Sequence, residues 1–295
     1  MGNLKQASIS KSRSYTACLS EAHRMLFDNI RSIFSRTWIY CLALALVSAA
    51  YLSLYIHAML YGSSTWLTVA LCAVSLITLC AEIAYYARAM FVVNGQPMKW
   101  NIKRCTILTA CYIAFCIVMA FVYASVFYGV TMAKQPATLY DMMPTFYILG
   151  GVSVVIYLLL LPFIYVGMKY LVETDSKLEK IIFKSYKTGL RHWGLIFTAL
   201  FLATLCAIIC AVLVSAPMFI VLAANSLSVY GVNFIGDPTG LPSYFTVIQF
   251  VVYALTFFIW AYINMFIIFV CYFLYGSITT REKEKNEMLN ELKNK

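Results

Sequence analysis

Lys177–Leu222 reads KLEKIIFKSYKTGLRHWGLIFTALFLATLCAIICAVLVSAPMFIVL. From Gly194 to Leu222 no side chain is charged, and the run exceeds the roughly 20 apolar residues that carry a helix across a bilayer. The first half is different. Lys177, Lys180, Lys184, Lys187 and Arg191 recur at steps of three and four, which draws one basic stripe down a helix. Leu178, Ile181, Ile182, Tyr186, Leu190 and Trp193 form an apolar face beside it. Ser176-x-x-Glu179 has capping-box form, and Asp175 suits a helix N-terminus, so the spacing predicts a basic helix over 176–192. A basic amphipathic helix feeding directly into an apolar span reads as a helix lying in the membrane interface.

The whole chain carries the same signature. Of its 295 residues 62% are hydrophobic and 16% aromatic, while only 12% are charged, against about a quarter in soluble proteins. Mean hydropathy is +0.81. An outer-membrane barrel would need segments of about ten residues alternating in polarity, and the long uniform runs here are helical. The fold class is therefore an all-α membrane protein. Six spans are placed at about 37–59, 66–92, 105–132, 146–172, 194–222 and 245–276, within one polytopic domain covering 1–295.

Charge sets the expected orientation. Segments 1–36, 93–104, 173–193 and 277–295 hold most of the lysine and arginine, whereas 60–65, 133–145 and 223–244 hold Lys134 alone. The positive-inside rule then puts both termini in the cytoplasm, with six transmembrane helices in N-in/C-in topology. A bacterial inner, or plasma, membrane is the expected location. None of the ten cysteines falls in the three outer segments, where a disulfide would form. Most lie inside spans, as Cys206 and Cys210 do, and act as small hydrophobes. Before Trp38 there is no compact apolar core, so no secretory signal is expected. Gln6 stands where a myristoylation signal wants Ser or Thr, so a lipid anchor is not expected either.

A second amphipathic unit covers 14–35. Apolar residues recur at 15, 19, 22, 26, 30 and 33, while Glu21, Arg24, Asp28 and Arg31 take another face, as in an elbow helix entering the first span. Asn29-Ile30-Arg31, Asn101-Ile102-Lys103 and Gly189-Leu190-Arg191 precede spans one, three and five. These short matches raise the possibility of three repeated hairpin units, the middle one having its interfacial helix shortened to Met98–Lys103. Within the charged cytoplasmic tail 277–295, REKEKNEMLNELKNK (281–295) reads as a mixed-charge helix, solvated or docked on a partner, with Met288, Leu289 and Leu292 as a small apolar face. Asn225–Tyr244, the longest outer segment, is rich in Gly, Pro and aromatic residues and suits a compact loop against the bundle.

Polar groups inside spans are costly and stand as functional candidates by default. Glu82 leads them, about 25 Å from the outer start of its span. It is expected to face the bundle and meet a cation or Asn264. Arg88, six residues on, falls on another face and snorkels. His57 lies near the outer end of span one, and Gln249 and Asn264 are polar groups of span six. Pro162 and Pro217 are expected to kink spans four and five.

No HExxH, GxSxG, Walker A or GxGxxG pattern is present. Tyr140-Asp141 and Gly236-Asp237 are poor matches to intramembrane aspartyl proteases, since both aspartates fall in outer segments. The cysteine and histidine spacings suggest no metal, and no cofactor is expected. The net charge of +10 follows the topology, which favours anionic lipid headgroups over nucleic acid as a partner, beside a possible membrane or cytoplasmic protein. The leading expectation is a non-enzymatic scaffold, assembly or regulatory component with a basic cytoplasmic face. The alternative is a transporter or exporter permease, because six spans, an elbow helix and a larger outer loop before span six are similar in layout to ABC-2-type export permeases. An intramembrane lipid-acting enzyme using Glu82 or His57 is the third reading.

Overall fold

The computed structural model describes residues 11–133, 139–232, 236 and 240–294. Among them the chain is helical, with no strand. The helices are α1 (Tyr15–Asp28), α2 (Ile30–Tyr61), α3 (Thr65–Asn94), α4 (Met98–Ala133), α5 (Leu139–Leu160), α6 (Pro162–Val172), α7 (Leu178–Arg191), α8 (Trp193–Tyr230) and α9 (Phe245–Lys293). Six of these, α2, α3, α4, α5, α8 and α9, are long and apolar enough to cross a membrane. Lys134, Asp237 and the side chain of Asp141, which the sequence reading singled out, lie outside the described residues.

The bundle is organised on α9, which packs against α1, α2, α3, α6 and α8. Phe269, Phe273 and Met265 of α9 are almost fully buried with Tyr85 of α3, Ile33 of α2 and Ile196 of α8. Small residues let the backbones approach where these helices meet, notably Cys41 and Ala45 on α2, Ala199 and Ala203 on α8, and Ala261 on α9. Tyr85, buried among them, donates its hydroxyl to the Ala261 carbonyl at 2.6 Å, which satisfies a polar atom that would be costly alone. By contrast α4 and α5 stand at the periphery. Their apolar stretches are 6% and 0% buried, so most of that surface faces whatever surrounds the bundle. Tyr123 and Ser153 join this pair through hydroxyls 2.6 Å apart.

Span four is not one helix. Pro162 lacks an N–H, so the carbonyl of Leu158 has no i+4 donor, and the chain divides into α5 and α6 at Leu161. The freed carbonyls find donors elsewhere. Trp193 Nε1 donates to Leu158 O at 3.0 Å, and Tyr186 Oη donates to Leu159 O at 3.0 Å. Gly189 rests directly on the break, where an added Cβ would lie 2.9 Å from the Pro162 carbonyl oxygen. So Tyr186 and Gly189 of α7, with Trp193 at the start of α8, fasten α7 across the Pro162 break. Pro217 behaves differently: α8 runs through it and on to Tyr230, past the expected end at 222.

One local expectation is corrected. The N-cap of α7 is Lys177, with no side-chain cap bond, because Ser176 Oγ instead donates to Glu173 O at 2.8 Å and accepts from Arg104 Nη1 at 3.0 Å. The capping box is thus not formed. α9 is continuous for 49 residues; residues 283–294 are exposed, and Ser277 and Ile278 before the charged stretch are fully buried. They are covered by the chain before α1, where Ser277 Oγ bonds the Arg13 backbone N–H at 2.9 Å and Arg281 Nη2 donates to Arg13 O at 2.6 Å. Finally, the three short matches do not fall at equivalent places. Asn29 is the break between α1 and α2, Gly189 lies three residues before the α7–α8 break at His192, and Met98–Lys103 is the opening of α4 itself.

Candidate functional site

Glu82 sits on α3 with Tyr86 and Met90 below it at helical spacing, and the three line one wall of a cleft of about 500 Å³. Cys105, Leu108, Thr109 and Tyr112 of α4 form the facing wall. The back is Asn264, Ile267, Ile268 and Cys271 of α9, and Met168 and Leu171 of α6 close one end. Helix packing explains the space. α4 packs on α3, α5 and α6, while α9 packs on α3 and α6 and, on its other side, on α1, α2 and α8, so the gap between α4 and α9 is left as the cleft. Glu82, Tyr86, Asn264 and Tyr112 are all exposed within or beside it.

The structure therefore brings Glu82 and Asn264 to one cavity from different helices. It does not bring Arg88 there. Arg88 faces α2, where Nε donates to Arg36 O at 2.7 Å and the guanidinium lies over the rings of Tyr40 and Phe91 at 5.4 and 4.7 Å. Among the described residues no hydrogen bond or ion pair reaches the Glu82 carboxylate.

His57 belongs to a separate cavity of about 420 Å³ near the end of the bundle where α2 finishes and α9 begins. Asn225 and Gln249 line it and are joined at 3.2 Å. The His57 ring lies 4.8 Å from that of Tyr61. No carboxylate shares this cavity with it among the described residues, and the hydroxyls of Ser53, Ser228, Ser243 and Thr246 line it.

At the other end of the bundle the α3–α4 turn, the α6–α7 connection, α1 and the far part of α9 come together. Arg104, buried to 7% exposure, is the residue that sequence reasoning missed here. Its guanidinium donates to the carbonyls of Tyr170, Glu173, Thr174 and Ser176. It also lies 3.9 Å from the Trp100 ring and 4.5 Å from that of Tyr170. The planar five-donor fork is what permits one side chain to gather the orphan carbonyls at the end of α6. Asn94 and Asn101 pin the α3–α4 turn beside it, with Asn94 Nδ2 donating to Asn101 Oδ1 at 2.9 Å and to Leu171 O at 3.0 Å.

The basic stripe on α7 is divided in its duties. Arg191 pairs with Glu282 of α9 at 2.9 Å, and His192 Nε2 lies 2.9 Å from the same carboxylate. Burial pushes the Glu282 carboxyl up, but the hydrogen bonds from His192 and Arg191 outweigh it and hold the group below its ordinary value. Lys177, Lys180, Lys184 and Lys187 are exposed. On the side facing α6, Ser185 and Gly189 are buried. Leu178 and Ile182 line a further cleft against α4 and α6, so part of the predicted apolar face is used within the protein. Phe183 and Leu190 point away from it, 85% and 47% exposed.

All ten cysteines are free, and no group of three His, Cys, Asp or Glu capable of holding a metal occurs among the described residues. Six helices long and apolar enough to cross a membrane, the long α9 central among them, are those of a multi-pass membrane protein in length and composition. No protein-family model, no curated protein and no solved structure matches the chain.

Proposed function

We propose that the protein is a non-enzymatic component of a plasma membrane, a scaffold, assembly or regulatory subunit that meets anionic lipid or a partner through a basic cytoplasmic face. In this reading the termini, the α3–α4 turn and α7 are cytoplasmic, and α1 and α7 lie in the interface. The observation that carries it is the outer side of α7, where Lys180, Lys184 and Lys187 flank Phe183, which is 85% exposed. A basic stripe beside an outward-pointing aromatic side chain suits headgroups above and acyl chains below. Because Gly189, Tyr186 and Trp193 fasten α7 to the bundle, contact at α7 is delivered to the Pro162 break.

Each basic residue near anionic lipid contributes about 1 kcal/mol, so replacing Lys180, Lys184 and Lys187 by Gln together weakens docking by roughly 100-fold. Hydrogen exchange of 177–193 in phosphatidylglycerol and phosphatidylcholine bilayers tests this. The wild type gains protection in the anionic bilayer and the triple variant does not. Equal exchange for both proteins in both bilayers would sink the lipid contact.

A transporter subunit, with an ABC-2-like permease as its most specific form, is the second reading, and the Glu82–Asn264 cleft is what favours it. An ATPase co-purifying in stoichiometric amount from native membranes would move the assignment there. A lipid-acting enzyme would require a group converging on Glu82 as acid, base or nucleophile partner, and no hydrogen bond to that carboxylate supports one.

A further inference from the structure

We infer that the cleft between α4 and α9 is a binding site for an amphiphilic organic cation, with Glu82 as its counter-ion. The Glu82 carboxylate stands in an otherwise largely apolar cleft whose lining holds no cation among the described residues, since Arg88 is bonded to Arg36 O on the α2 side of α3 and Arg104 is engaged with the carbonyls at the end of α6. A carboxylate in such surroundings favours a positive partner strongly, because low polarity magnifies the charge interaction.

The other groups select the kind of cation. A divalent metal wants about six oxygen ligands at 2.0–2.6 Å, and one carboxylate with one amide does not supply them. Tyr86 and Tyr112 instead offer aromatic faces, 41% and 67% exposed, which attract an ammonium or phosphonium centre. Leu108, Met168 and Ile268 provide an apolar wall for its body. A zwitterionic aminolipid fits less well, because no cation lining the cleft would receive its phosphate. The ligand is therefore a net positive amphiphile, and α4, whose apolar stretch is only 6% buried, leaves the cleft a lateral way in from the lipid. This inference is independent of the role of the basic face and holds whether or not the ligand is then moved.

Equilibrium binding of radiolabelled tetraphenylphosphonium to the full-length protein in an uncharged maltoside detergent tests it. The wild type binds saturably. Glu82→Gln binds at least tenfold more weakly, His57→Gln binds as the wild type does, and tetraphenylborate, of the same shape and opposite charge, does not bind saturably. Tyr112→Leu alters an exposed rim residue and so keeps the test open if Glu82→Gln does not fold, and it weakens binding several-fold. Equal affinity in wild type and Tyr112→Leu, equal affinity in a folded Glu82→Gln, or no saturable binding at all overturns the site. Displacement of the probe by phosphatidylethanolamine overturns the choice of ligand in favour of an aminolipid headgroup.

Discussion

Gly189 and Arg104 show how much rests on single side chains at the crowded end of the bundle. At Gly189 the space for a methyl group is taken by the backbone of Pro162, whose carbonyl oxygen would lie 2.9 Å from it. Backbone cannot swing aside as a flexible side chain would, so Gly189→Ala should cost about 1–3 kcal/mol. Thermal unfolding in detergent would show it, and an unchanged midpoint would mean that α7 does not sit on the break. Arg104→Lys keeps the charge but presents one compact ammonium where a fork reaches four carbonyls. Leaving buried acceptors unpaired costs about 1–3 kcal/mol, and the substitution should lower the unfolding midpoint accordingly. Neither residue declares itself in sequence. A glycine in an amphipathic helix and an arginine before a span both have ordinary readings, and only the neighbour across space gives them work.

At the scale of elements, the paired helices α6 and α7 are a structure made from a defect. Pro162 removes one hydrogen bond, and Trp193 and Tyr186 return donors to the carbonyls around the gap. Trp193→Phe and Tyr186→Phe should each cost about 1 kcal/mol, and the double variant should exchange amide hydrogens faster across 186–193 than the rest of α7. Uniform exchange along α7 in the double variant would show that these bonds do not hold it. The basic stripe, the amphipathic spacing and the disruptive proline were all legible beforehand. Of the expected apolar face, Leu178 and Ile182 are turned to the protein, while Leu190 is turned outward with Phe183, a residue that face did not include. Periodicity says which residues share a side of a helix. It does not say which side a neighbour will occupy.

Across the whole molecule, α9 links the apolar bundle to the charged end through Glu282. Its carboxylate holds Arg191 and His192 at the join of α7 and α8. A carboxyl held below its ordinary value contributes stability that is present above that value and lost as pH falls through the lowered one. The join should therefore loosen only as pH falls below 4.5, the ordinary value for this glutamate. Glu282→Gln should lower stability at neutral pH and remove this acid-dependent step, which unfolding midpoints measured from pH 3 to 7 would reveal. An identical acid profile in the variant would place the step on another group. The far tail, with Met288 and Leu292 61% and 70% exposed, takes no part in that link.

The class of fold is legible in the sequence, because hydrophobic run length is a local property and the bilayer reads it locally. Glu82 and Asn264 also stand out there, since a polar group in an apolar run is conspicuous without any knowledge of its neighbours. Which helices touch is settled only by their packing in three dimensions. Membrane helices are apolar on nearly every side, so their sequences carry little directional signal for packing, and the choice of α9 as the centre is written in complementary shapes such as Ala261 under Tyr85. The same holds for the cleft: α4 and α9 each look like an ordinary span, and the cleft exists because they stand apart.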